Sequence, residues 1–141
     1  MRFAKWVYAI AGVYGILVTL PLFFSENQIG EMMPPPINHP EYYYGFAFAV
    51  LAWQIVFLVI ARDPLRYRGL MPVTFLEKFP YVVGIAVLFL QGRAPQQLLL
   101  TGSIDFVLGI LFVIAYWRTA RLPTTETKTS VASNSSTQIA A

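Results

Sequence analysis

The chain contains no cysteine. That absence excludes a disulfide framework, a thiolate metal site and a cysteine nucleophile. Histidine occurs once, as His39, which leaves no basis for a multi-histidine metal cage or a Ser-His-acid device at depth. A Gly-rich phosphate loop, a nucleophile elbow and an HExxH helix are all missing from the sequence. Charged residues make up only 12% of the chain, where soluble domains carry about 25%. The net charge is +3, but the basic residues form no patch interleaved with aromatics, so nucleic acid is not an expected partner.

What remains is apolar: 57% of the residues are hydrophobic and 16% aromatic. Four runs stand out, at 6–24, 42–61, 71–90 and 98–117. Each is long enough to cross the ~30 Å hydrocarbon core at ~1.5 Å per residue, and too uniformly apolar for a barrel strand. The expectation is an all-α, integral membrane four-helix bundle over 1–121. The first run follows Arg2 and Lys5 but is too long for the apolar part of a signal peptide, so it reads as a retained span. The segment 122–141 is Ser/Thr-rich and lacks aromatics, and reads as a disordered polar tail.

Lysine and arginine set the direction. Arg2, Lys5, Arg62, Arg66, Arg68, Arg118, Arg121 and Lys128 fall on one side, and Arg93 alone on the other. Both termini are therefore expected in the cytoplasm, with the connections 25–41 and 91–97 outside. Lys78, near the start of the third run, is expected to snorkel toward the basic side.

The outer connection ends in "NHPEYYYG" at 38–45. Asn38 with Glu41 fits a capping box, Pro40 suits a first helical turn, and the three tyrosines suit a water–lipid boundary. A second reading joins His39 and Glu41 with Glu26 and Glu31 in a metal or substrate site. Pro34-Pro35-Pro36 makes the connection stiff and extended, and no spacing brings those groups together. Whether it lies over the bundle as a lid is left open.

Ionisable groups at membrane depth are functional candidates by default. Asp105 lies roughly 10 Å into the fourth run, counting ~1.5 Å per residue, and shares a face with Thr101, Gly102 and Gly109. It points into the bundle, where its partner is either Arg93 or, for a neutral acid, a hydroxyl such as Thr19. Glu77 shares a stripe with Thr74, Tyr81, Gly84 and Gln91, and pairs with Arg66 or Arg68 in the simplest reading. Gln54 is expected to hydrogen-bond a neighbouring helix. Tyr8, Gly12, Gly15 and Thr19 form a packing seam on the first span, and Pro21 and Pro80 are expected to kink their helices.

The final run, "DFVLGILFVIAYWRT", resembles the last helix of DoxX-like proteins, and the span count resembles small four-span bacterial membrane proteins in general. The resemblance covers one helix and the number of spans. It implies a bacterial inner membrane and a role that is sometimes beside redox partners. No functional residue is carried over from it. The expected function is a non-enzymatic binder of a lipidic, aromatic or quinone-like ligand, or an accessory subunit with a membrane partner or a second copy of itself. The alternatives are a small oligomeric proton-coupled transporter and an intramembrane enzyme using Asp105 and Glu77. The sequence calls for no cofactor.

Overall fold

The structure is a computed structural model that describes residues 2–120; the expected polar tail lies outside them. It is all-helical, with four helices long and apolar enough to cross a membrane. α1 spans Arg2–Thr19 and gives way to a 3₁₀ turn at Leu20–Phe24. A short α2 (Glu26–Met32) lies in the first connection, followed by α3 (Pro40–Arg62), a 3₁₀ turn at Arg68–Leu70, α4 (Met71–Leu90) and α5 (Gln97–Ala120).

Each change of geometry has a local cause. Pro21 lacks an N–H, and the chain tightens into the 3₁₀ turn around it. Pro80 does not end its helix: it lies inside α4, which runs from Met71 to Leu90. The 25–41 connection is not extended throughout, because Glu26–Met32 forms α2 before the proline run begins. The capping-box expectation at Asn38 is corrected. Pro40 disfavours helical geometry in the residue before it, so His39 (φ −129°, ψ 72°) becomes the N-cap, without a side-chain cap bond. The Glu41 carboxylate instead meets His39 Nδ1 at 3.0 Å.

The long helices alternate in direction. Their packing makes two antiparallel pairs, α1 with α3 and α4 with α5, joined mainly through α1 and α5. α3 and α4 share no extended interface. The end holding the start of α1 and the finish of α5 is called the base, and the opposite end the top.

The core sits in the basal half. Tyr8 of α1 stacks on Phe112 of α5, with ring centroids 4.4 Å apart and planes within 3°. Phe57 of α3 meets Phe112 edge-on at 4.9 Å. Ala4, Val7, Ala11, Ile60, Met71 and Ala115 close around these rings. Such offset and edge-to-face aromatic pairs contribute about 0.5–1.5 kcal/mol each beyond area burial. The Tyr8 hydroxyl donates to Thr74 Oγ1 (3.1 Å), which donates to the Met71 carbonyl (2.7 Å). Every polar atom of that chain is thereby satisfied in an apolar setting. Basal arginines rest on rings rather than on carboxylates: Arg68 lies 4.3 Å from the Tyr116 ring centre and Arg118 4.7 Å from that of Phe3. Toward the top, α4 buries little beyond Ile85, and Val83, Gly84, Val87 and Leu90 are exposed.

Candidate functional site

A lysine lies between two carboxylates just above the aromatic core. Lys78 is 5% exposed. Its Nζ stands 2.8 Å from Asp105 Oδ1 of α5 and 3.1 Å from Glu77 Oε2 of its own helix. The face of Phe57, on α3, lies 5.5 Å from the same nitrogen. One ammonium thus touches three of the four long helices' neighbourhoods: its own α4, α5 through Asp105 and α3 through Phe57.

This overturns the expectation that Lys78 snorkels to the basal surface. The helical register explains why. Met71, Thr74, Lys78 and Ile85 form the buried stripe of α4, at the 3–4 spacing of a packed face. The stripe chosen from sequence, through Thr74, Glu77, Tyr81 and Gly84, is rotated one position from it, and Gly84 is open, with no neighbour near a Cβ placed there. Met71 and Ile85 as large apolar members of the Lys78 stripe were the available signal.

Three pairings are corrected with it. Asp105 pairs with Lys78, not with Arg93, whose guanidinium reaches Gln91 (3.4 Å) in the α4–α5 connection. Glu77 pairs with Lys78 rather than with Arg66 or Arg68, since Arg68 is taken up by the Tyr116 ring. Gln54 is buried as expected, but its Nε2 donates to Val50 O within α3 (3.0 Å) instead of to another helix. Its amide fills the space over Gly15 of α1, where any Cβ would collide with it.

Glycines make both helix pairs close. A Cβ at Gly12 would stand 2.8 Å from Leu58, and one at Gly109 3.0 Å from the Phe79 ring. The second of these contacts matters for the site: it lets α5 approach α4 closely beside Lys78, itself 3.4 Å from that same Cβ position. Asp105, one turn away on α5, then reaches the ammonium directly.

The top of the molecule holds the other candidates. His39 and Glu41 pair only with each other and are exposed. Glu26 accepts from the Tyr44 hydroxyl (2.9 Å), and Tyr43 donates to Leu22 O (2.6 Å). Among the described residues no three His, Asp or Glu side chains come together as metal ligands. A hollow of about 500 Å³ lined by Glu26, Gly30, Glu31 and Pro36 lies in this connection, away from the lysine cluster.

The arrangement around Lys78 supports ion pairing, hydrogen bonding to a polar head and proton storage. It contains no nucleophile–base pair: among the described residues, Glu77 and Asp105 have Lys78 as their ion-pair partner and no hydroxyl or imidazole bonded to them. Comparison with protein-family models, curated proteins and solved structures gives no match.

Proposed function

We propose that the protein is a multi-pass bacterial inner-membrane protein, with both termini cytoplasmic, that binds a lipidic or aromatic ligand with a polar head without turning it over. Four long apolar helices support the membrane reading, and the one-sided lysines and arginines support the orientation. The DoxX-like style of the last helix agrees with it.

The observation that carries the ligand reading is the Glu77–Lys78–Asp105 cluster. Burying three charged groups costs more than an apolar replacement of the same volume, and intramembrane ionisable groups serve substrate, ion or counter-ion roles far more often than they serve stability. Asp105 keeps a fifth of its side chain exposed (21%), unlike Lys78. α3 and α4 leave the upper side of the cluster without an extended helix interface. A quinone-like head entering between them meets Asp105 and Lys78 as hydrogen-bonding groups, with Phe79 and Phe106 alongside. An intramembrane enzyme is less well supported, because the two acids are committed to one lysine.

Trp53 provides the test. It packs on Phe57, with ring centroids 6.4 Å apart, and Phe57 faces Lys78. With Trp6 and Trp117 replaced by Phe, a short-chain benzoquinone is expected to quench Trp53 fluorescence saturably in detergent. Asp105→Leu is expected to abolish saturation. Linear, non-saturating quenching that is the same in both proteins refutes the reading.

A further inference from the structure

The lysine cluster is unbalanced: two carboxylates share one ammonium in an apolar interior. Lys78 is surrounded by negative groups. It has Asp105 at 2.8 Å, Glu77 at 3.1 Å and the negative face of the Phe57 ring at 5.5 Å. The surplus negative charge has to be offset by something else.

The surrounding elements supply nothing for it. From α1, Tyr8 is hydrogen-bonded to Thr74. From α3 comes the uncharged ring of Phe57, and the Gln54 amide of the same helix is turned to Gly15. From α5 come Asp105 itself and Tyr116, on which Arg68 of the preceding turn is stacked. Tyr81 is the remaining titratable group on the upper part of α4. No arginine lies within 4 Å of Glu77 or Asp105 among the described residues.

A second, independent feature singles out Glu77. Its Oε2 is sealed from solvent and has no hydrogen-bond partner, although it lies 3.1 Å from Lys78 Nζ; the ammonium donates instead to Oε1 (3.2 Å). A lone pair on an ionised carboxylate left this way in an apolar setting is costly. Asp105 takes the shorter contact with the ammonium and keeps 21% of its side chain exposed, against 11% for Glu77.

We propose that the Glu77–Lys78–Asp105 cluster is a proton-binding site that holds one proton, on Glu77, in the resting protein. The proton brings the net charge of the cluster to zero. An alkali cation would do the same by charge alone, but it needs several converging oxygens, and the ammonium already occupies the point where the two carboxylates converge. The inference rests on the same buried cluster as the ligand reading but needs no ligand.

Infrared spectroscopy of the ligand-free protein in detergent tests it by counting. At neutral pH in potassium buffer, one protonated-carboxyl C=O band per chain is expected, shifting in D₂O. Glu77→Gln removes the band. Asp105→Asn removes it too, because one lysine then balances one acid and Glu77 ionises. Lys78→Met is expected to double it, and should that variant fail to fold, Asp105→Asn decides alone. No band in the parent protein, a band unchanged in Asp105→Asn, or a band displaced by sodium each overturns the proposal. Saturable Trp53 quenching without the band sinks only this inference; the band without saturable quenching sinks only the ligand reading.

Discussion

The α1–α3 seam and the α4–α5 seam solve one problem in two ways. Both bring helices close through glycines: Gly12 and Gly15 on α1, Gly109 on α5. Both place a polar side chain beside the closest approach. In α1–α3 it is the neutral Gln54 amide, which meets its own backbone at Val50. In α4–α5 it is the Lys78 ammonium, which reaches across to Asp105. The amide needs nothing from the neighbouring helix except room. The ammonium needs an opposite charge there, and the pair is sensitive to anything that changes that charge. The first seam is a packing device; the second is also an ion pair.

Removing the lysine is expected to break this contrast with the largest effect. Lys78→Met leaves two acids unpaired, and a loss of about 3–5 kcal/mol is expected, read as a lowered Tm in detergent. Replacing all three members, as Glu77→Leu, Lys78→Met and Asp105→Leu together, is expected to restore most of that stability, because an apolar cluster of similar volume carries no desolvation cost. If the triple variant is no better than Lys78→Met, the cluster is not an electrostatic cost that the fold carries for another purpose.

The glycine seam is expected to respond next. Gly15→Ala drives a methyl into the Gln54 amide, and overpacking of this kind costs about 1–3 kcal/mol. Adding Gln54→Ala should relieve most of it, which a double-mutant cycle of thermal stability measures. Equal loss with and without Gln54 would place the strain elsewhere.

Between the two pairs, Tyr8→Phe removes the hydroxyl bonded to Thr74 while keeping the ring on Phe112. A loss near ~0.6 kcal/mol is expected, the average for polar contacts between membrane helices. The smallest effects belong to the top. Asn38→Ala and His39→Ala are both expected within about ±0.5 kcal/mol, since neither side chain caps α3. A drop beyond 1 kcal/mol in Asn38→Ala, on the scale of a lost cap, would restore the capping box that the structure lacks.

Which parts were legible in the sequence follows from the range of the forces involved. Long apolar runs mark the four helices because backbone groups in an apolar medium have to bond internally. Gly12, Gly15 and Gly109 mark close helix contacts because a missing side chain lets backbones approach, whereas a Cβ at Gly102 would meet Ile85 at an ordinary 3.7 Å; Asp105 faces Lys78 as its stripe suggests. Lys78 was misread, because a long side chain near a helix end has two options, and only the position of α5 decides between them. Asp105 was therefore assigned the wrong partner, and Glu77 as well. The cap at His39 was lost for a smaller reason: the effect of Pro40 on the residue before it outweighed the pattern of Asn38 and Glu41.

The tyrosine ties at the top have a consequence for how the chain is made. Tyr43 holds Leu22 and Tyr44 holds Glu26, and Gln54 nests over Gly15. All these partners lie before residue 62, so the first hairpin has its own fastenings as soon as α3 has left the ribosome. The contacts of Lys78 with Glu77 and Asp105 fall wholly within the second hairpin. Synthesis therefore delivers two self-fastened units in succession, and the contacts of Tyr8 with Phe112 and Thr74, and of Phe57 with Phe112 and Lys78, join the first to the second.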